Sequence, residues 1–136
     1  MKKIYFLFFV LAGSCQIIIN EEPSYYDSRD ELTGRYQIDE YSESTEQHFS
    51  YSIEILKSCC NSNEVILYNF YDVGIEVIAQ FDGYKLIIPR QFIGDYEVEG
   101  TGRLSGNELS LSYIVRNRYQ NPSTDFLYFT AWRTSF

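Results

Sequence analysis

The sequence has few of the residues that usually build catalytic or metal sites. His48 is its only histidine, and its three cysteines are Cys15, Cys59 and Cys60. A Ser-His-Asp or Cys-His site would therefore depend on His48. This residue lies at the polar start of a predicted strand, where a solvated surface side chain is the favoured interpretation. The sequence predicts no catalytic residue, no metal site and no cofactor.

Cys59 and Cys60 are neighbours in the segment LKSCCNSNEV. Adjacent Cα atoms lie about 3.8 Å apart across a trans peptide bond, below the roughly 4.4 Å lower limit of most disulfides. A bond between the two would be strained and easily reduced. Two turn residues are the favoured interpretation, with a redox switch or a metal clamp as the alternative.

Basic residues are also scarce, at 11 Lys and Arg against 19 Asp and Glu, with a net charge of -8. Phosphate backbones repel so acidic a chain, which argues against a nucleic-acid partner. Two acidic groups could coordinate calcium through oxygen, namely Asp27, Asp30 and Glu31, and Asp39 and Glu40. They lack the regular spacing of a calcium-binding loop, so a solvated surface is the favoured interpretation.

Long apolar runs are absent. The run from Ile4 to Ala12 is about half of the roughly 20 residues that a transmembrane helix needs. A spanning helix would have to recruit Ile17 to Ile19 across a polar break. Because Lys2 and Lys3 precede the run and small residues follow it, the segment 1–14 is predicted to be a signal peptide.

Two kinds of cleavage before Cys15 fit this segment. Ala12-Gly13-Ser14 has the small-x-small pattern of ordinary signal peptidase. The stretch from Leu11 to Cys15 also resembles the lipobox of bacterial lipoproteins, although Ala12 stands where that motif usually has leucine. The resemblance implies that Cys15 carries acyl chains, of which a stable anchor needs more than one. Gln16, after the cysteine, implies the outer membrane rather than retention at the inner one.

Removing the signal peptide takes away Lys2 and Lys3 and changes the net charge from -8 to -10. Residues 15–31 are then predicted to be a lipidated N-terminus and flexible tether, because the acidic stretch from Asn20 to Glu31 contains Pro23 and no apolar period. Residues 32–136 are predicted to be one folded domain.

Short alternating apolar and polar runs fill residues 32–136, and the 13 tyrosines and 10 phenylalanines favour strands over helices. Asp82-Gly83 is the strongest hairpin signal in the chain. Gly100 and Gly102 share the inward face of a sharply coiled strand. The pattern predicts an all-β fold, an eight-stranded antiparallel up-and-down barrel whose closure removes exposed edges. The predicted strands are 32–40, 49–55, 64–70, 74–81, 84–88, 96–104, 109–115 and 126–134.

Two stretches carry a family resemblance. Gly34-Arg35-Tyr36 and Arg133 look like the barrel-closing pair of lipocalins and their calycin relatives, in which Gly-x-Trp of the first strand packs under an arginine of the last. Tyr36 stands here where the family has tryptophan. The segment YEVEGTGRLSGNELSLSYIV is similar to the penultimate hairpin of small lipocalin-like bacterial lipoproteins of unassigned function. The resemblance spans about Leu32 to Phe136 and implies a lipocalin-like barrel that binds a small hydrophobic molecule.

An eight-stranded barrel is just wide enough to be filled by side chains or to hold one small ligand. Five tyrosines are predicted either to fill this interior or to line its mouth: Tyr51, Tyr68, Tyr96, Tyr113 and Tyr128. A packed interior is favoured for so short a chain. Two functions stay open at this point. One is a membrane-anchored lipoprotein that binds a small hydrophobic ligand. The other is a non-enzymatic envelope scaffold that displays loops and tyrosines to a protein or glycan.

Overall fold

The computed structural model describes residues 26–135, which form one 3-10 turn at Ser28–Glu31 and eight β-strands. The predicted signal peptide, Cys15 and most of the predicted tether lie outside the described residues. The strands, numbered in chain order, are β1 Gly34–Ser42, β2 Gln47–Lys57, β3 Glu64–Phe70, β4 Ile75–Phe81, β5 Lys85–Ile93, β6 Tyr96–Ser105, β7 Glu108–Arg116 and β8 Thr124–Ser135.

The eight strands form one closed antiparallel barrel. Each strand pairs with the next in the chain, and β8 returns to pair with β1. Across the closing pair, Ile38 lies opposite Ala131, and both residues are buried. The predicted eight-stranded up-and-down barrel is therefore confirmed. Its closure pairs the outer edges of the first and last strands, which an open sheet would expose.

Side chains from all eight strands meet in the barrel interior. The alternation of β-strands places every second residue inward, and these positions are mostly apolar. An eight-stranded barrel has an interior that such side chains can fill. The large side chains buried there include Tyr36, Phe70, Phe81 and Phe129, with Ile38, Ile53, Leu67 and Leu86 among the aliphatic ones.

Two glycines of β6 let the barrel wall bend tightly. A Cβ atom at Gly100 would lie 2.5 Å from the Cβ of Tyr113, and one at Gly102 would lie 2.2 Å from the carbonyl oxygen of Ser110. Both distances are too short for a real side chain, so β6 and β7 approach this closely only because these two positions lack one.

One end of the barrel is covered by the segment that precedes β1. Within this segment Arg29 is buried, and its guanidinium donates to the carbonyl oxygens of Ser58 at 3.1 Å and Asn61 at 2.9 Å. Leu32 is fully buried with the core. Arg29, which belongs to the predicted tether, and Leu32, which begins the predicted domain, therefore both pack against the barrel. Asp27 helps to fix this turn, because its carboxylate accepts from the backbone N–H and the guanidinium of Arg29.

The other end, called the mouth here, is formed by the loops 43–46, 71–74, 94–95 and 117–123. The strand boundaries agree with the predicted ones to within two residues, except in β5. The predicted strand ends at residue 88, directly before Pro89. Pairing with β6 shifts register between Ile88 and Gln91, so Pro89 lies in a bulge and β5 continues to Ile93. Proline is tolerated at such bulges because it has no N–H to donate to the ladder.

Candidate functional site

Two carboxylates occupy inward positions just below the mouth. Glu40 follows Tyr36 and Ile38 on the inward face of β1 and is only 2% exposed. Asp125 precedes Leu127 on the inward face of β8 and is 8% exposed. Because β1 and β8 are neighbours in the closed barrel, the two acids belong to the same end of the interior. Buried carboxylates are costly unless they accept hydrogen bonds, so their partners decide what they can do.

Glu40 accepts hydrogen bonds from two tyrosines. The Tyr51 hydroxyl donates to Oε1 at 2.6 Å, and the Tyr113 hydroxyl donates to the same oxygen. The two hydroxyl oxygens lie 3.5 Å apart. Burial raises the pKa of Glu40, while the two tyrosine hydrogen bonds oppose that rise. Burial likewise raises the pKa of Tyr51 and Tyr113, so both hydroxyls keep their protons and remain donors.

Asp125 forms a second set of hydrogen bonds. The Ser42 hydroxyl donates to Oδ1 at 2.5 Å, and the Tyr71 hydroxyl donates to Oδ2 at 2.6 Å. Tyr71 has a φ of 61° in the loop between β3 and β4. Its ring lies edge-on to Tyr113, with centroids 6.3 Å apart. The two sets of hydrogen bonds therefore meet where the rings of Tyr71 and Tyr113 pack together. We call the six residues involved the acid–tyrosine cluster: Glu40, Ser42, Tyr51, Tyr71, Tyr113 and Asp125.

A pocket of about 460 Å³ opens above this cluster at the mouth. Phe49, Tyr71, Val73 and Pro122 provide its apolar and aromatic walls. The acid–tyrosine cluster contributes Glu40, Tyr71 and Asp125 to the same pocket. Concave sites for small ligands are commonly about 300–1,000 Å³ and combine apolar walls with a few polar groups, which matches this arrangement.

The five tyrosines predicted to fill the interior or to line the mouth do not all do so. Tyr51 and Tyr113 are buried in the interior, and Tyr96 is partly buried with its ring centroid 6.0 Å from that of Tyr71. Tyr68 and Tyr128 point outward and do not line the mouth pocket, so the prediction is wrong for these two. The cause is strand alternation, since each directly follows an inward leucine, Leu67 or Leu127.

The predicted barrel-closing residues lie together at the covered end. The Arg133 guanidinium carbon lies 5.9 Å from the ring centroid of Tyr36. Arg133 also donates to the carbonyl oxygen of Thr33 at 3.0 Å. A Cβ atom at Gly34 would lie 2.3 Å from the carbonyl oxygen of Ser135, so β1 and β8 could not approach as closely with another residue there. The Tyr36 hydroxyl donates to the carbonyl oxygen of Leu32 at 2.7 Å, and burial raises the pKa of Tyr36 to about 12.

The remaining sequence candidates lie away from the acid–tyrosine cluster. His48 is exposed on β2, with its ring centroid 4.8 Å from that of Tyr41. Cys59 and Cys60 are exposed free thiols in the loop between β2 and β3. Cys15, the predicted site of lipid attachment, lies outside the described residues.

The sequence interpretation missed Glu40, Asp125 and Tyr71. Glu40 was assigned to a solvated acidic surface, which is wrong, because its position two residues after Ile38 places it inside. The same alternation along β8 could have found Asp125. Tyr71 gave no such signal, because it follows the end of β3 and has a left-handed backbone conformation.

The part of the chain that the structure describes has no group of three or more His, Cys, Asp or Glu side chains arranged to hold a metal ion. No helix within residues 26–135 has the length and apolar character needed to cross a membrane. No protein-family model matches the chain, and no curated protein is similar to it by sequence. The barrel is consistent with a lipocalin-like fold, and the site must be interpreted from its own geometry.

Proposed function

We propose that this chain is a bacterial lipoprotein, anchored to the outer membrane through Cys15, that binds a small molecule at the mouth of its barrel. The observation that carries the proposal is the mouth pocket of about 460 Å³. Because side chains fill the barrel below it, the ligand is expected at the mouth rather than deep inside. The resemblance to lipocalin-like lipoproteins supports the anchor and the carrier role, which involves no catalysis.

Native mass spectrometry of the full-length protein, extracted from its own membrane, tests this function. The expected spectrum shows a mature chain that begins at Cys15, carries acyl chains and retains a small non-covalent molecule. Val73→Trp would fill the mouth pocket, so we expect this variant to lose the retained molecule. Ile78→Trp is the matched control, because Ile78 is similarly exposed, at 44% against 43%, but lies outside the pocket. Retention of the molecule by Val73→Trp would contradict binding at the mouth.

A scaffold function is the second candidate, and one observation on the outer surface favours it. A shallow depression of about 590 Å³ crosses the outer face of β5 to β8. Ile87, Phe126 and Tyr128 line it and are partly exposed. Exposed apolar patches on a folded domain often mark protein contacts. We call this feature the outer depression.

Photo-crosslinking distinguishes the two functions. A photoreactive phenylalanine analogue is placed either at Phe49 in the mouth or at Tyr128 in the outer depression. The carrier function predicts that no envelope protein is captured reproducibly from position 128. Capture of one protein at position 128, from an acylated chain without a retained small molecule, would support the scaffold instead.

A further inference from the structure

The mouth pocket has a strongly one-sided charge. Three carboxylates line it, those of Glu40, Asp72 and Asp125. Among the described residues that line this pocket, none is Lys, Arg or His. An anionic ligand would be repelled by these groups, and a neutral ligand would leave their charges uncompensated. A positively charged ligand is therefore the best electrostatic match.

Glu40 has an unused oxygen at this pocket. Both tyrosine hydrogen bonds go to Oε1, and no hydrogen bond from the described residues reaches Oε2. Glu40 is 2% exposed yet contributes to the pocket lining. This oxygen is not among the buried side-chain atoms that lack a hydrogen-bond partner, so it is open to solvent. A ligand that brings an N–H group to it gains a charge-assisted hydrogen bond.

The pocket also offers aromatic surface for a cationic group and its carbon skeleton. Phe49 and Tyr71 belong to its walls. Aromatic ring faces attract cations as well as apolar groups. A metal ion fits less well, because the three carboxylates are not arranged as a group that could hold one, and neither are the other described His, Cys, Asp and Glu side chains. The combined features match an organic cation better than a bare metal ion.

We propose that the mouth pocket selects a small primary amine in its ammonium form, attached to a compact aromatic body. The ammonium group donates to Glu40 Oε2 and to the carboxylate of Asp125, while the body packs against Phe49 and Tyr71. This inference rests on the proposed carrier function and specifies its ligand class. It replaces a purely hydrophobic ligand with a cationic one.

Binding of the ammonium is expected to strengthen as pH rises. The groups that act on Glu40 are the hydroxyls of Tyr51 and Tyr113 and the carboxylates of Asp72 and Asp125. Burial, the largest cause, raises the pKa of Glu40, and the two neighbouring carboxylates raise it further. A bound cation interacts best with ionised Glu40, so acidification through the titration of this residue weakens binding.

Three probes that share a phenol ring and differ in charge test the proposal on the full chain without substitutions. They are tyramine, which is a cation at pH 7, neutral 4-ethylphenol, and anionic 4-hydroxyphenylacetate. Isothermal titration calorimetry at pH 7.5 and low salt measures each dissociation constant. We expect tyramine to bind at least about ten-fold more tightly than 4-ethylphenol, and the anion to bind more weakly than either.

Two variants locate the effect. Glu40→Gln keeps the shape of the side chain and an acceptor for the tyrosines, and is expected to weaken tyramine about ten-fold while leaving 4-ethylphenol unchanged. Glu76→Gln removes an exposed carboxylate of β4 outside the pocket and should change neither dissociation constant.

The possible outcomes distinguish failure of the amine assignment from failure of the proposed carrier function. Equal binding of tyramine and 4-ethylphenol would overturn the amine assignment and leave a neutral mouth ligand standing. Displacement of tyramine by calcium ions alone would overturn it in favour of a metal site. Failure of all three probes to bind at millimolar concentration would contradict the mouth carrier itself.

Discussion

Replacing Tyr113 by phenylalanine should destabilise the protein by an amount that depends on pH. The variant keeps the ring, which packs against Phe70 with centroids 4.5 Å apart, and removes only the hydroxyl that donates to Glu40 Oε1. A hydrogen bond to an ionised group is worth about 1.5–3 kcal/mol, and one to a neutral group about 1 kcal/mol. The loss therefore reports the charge state of Glu40.

The direction of the pH dependence follows from the raised pKa of Glu40. The folded protein binds this proton more tightly than the unfolded chain, whose glutamate pKa is about 4.3. The wild-type contribution of Glu40 to stability is therefore most favourable at low pH and declines as pH rises through the folded-state pKa. For Tyr113→Phe we expect a loss of about 1 kcal/mol at pH 4 and about 2 kcal/mol at pH 8.

Urea unfolding followed by circular dichroism, repeated from pH 4 to pH 8, measures both losses. In a Glu40→Gln background the carboxyl is absent, so the same substitution should cost about 1 kcal/mol at every pH. Tyr128→Phe is the matched control, because the Tyr128 hydroxyl lies on the outer surface and accepts only from Thr130, at 3.3 Å, among the described residues. A cost for Tyr113→Phe that is the same at all pH values in both backgrounds would contradict a hydrogen bond from Tyr113 to an ionisable Glu40.

Two further predictions concern the barrel frame. Gly102→Ala should lower the free energy of unfolding by about 1–3 kcal/mol, because the new Cβ would lie 2.2 Å from the Ser110 carbonyl oxygen. The control is Thr101→Ala on the exposed face, which should lower it by less than about 0.5 kcal/mol. Denaturant titration checks both, and equal costs would contradict the close approach of β6 and β7. Asp27→Asn should reduce stability at pH 7, because the hydrogen bond from Arg29 is the main cause that lowers the pKa of Asp27. The difference in free energy of unfolding between the variant and wild type should shrink as pH falls below about 4, where the carboxyl of the unfolded chain takes up its proton. A difference that grows on acidification would contradict the stabilising role of the Asp27 carboxylate.

The barrel could be predicted from the sequence because alternation and turn residues are local signals. Asp82-Gly83 predicted the hairpin between β4 and β5, and the structure has a three-residue loop there, with φ of 102° at Gly83. Gly100 and Gly102 predicted a tight strand, and β7 lies against them. The 3-10 turn at Ser28–Glu31 was missed, because it is held by contacts with distant loops rather than by an apolar period.

The candidate site was harder to predict, because it depends on which polar residues face inward. Tyr68 and Tyr128 were predicted to fill the interior or line the mouth, although their neighbours Leu67 and Leu127 take the inward positions. Glu40 was treated as a surface acid because it stands beside Asp39 in a charged pair without the spacing of a calcium-binding loop. A strict count along β1 would have placed it inside. Its pairing with tyrosines of β2 and β7 depends on barrel closure, which local sequence does not encode.

The most direct test of binding at the mouth is a fragment titration of the labelled protein followed by amide chemical shifts. A set of small aromatic amines and neutral aromatics is added to the full-length chain in lipid nanodiscs. If the ligand binds at the mouth, bound fragments shift the signals of Phe49, Tyr71 and Val73 at the mouth pocket and leave those of Ile87 and Phe126 unchanged. Shifts confined to the outer depression would contradict it and would support the scaffold function.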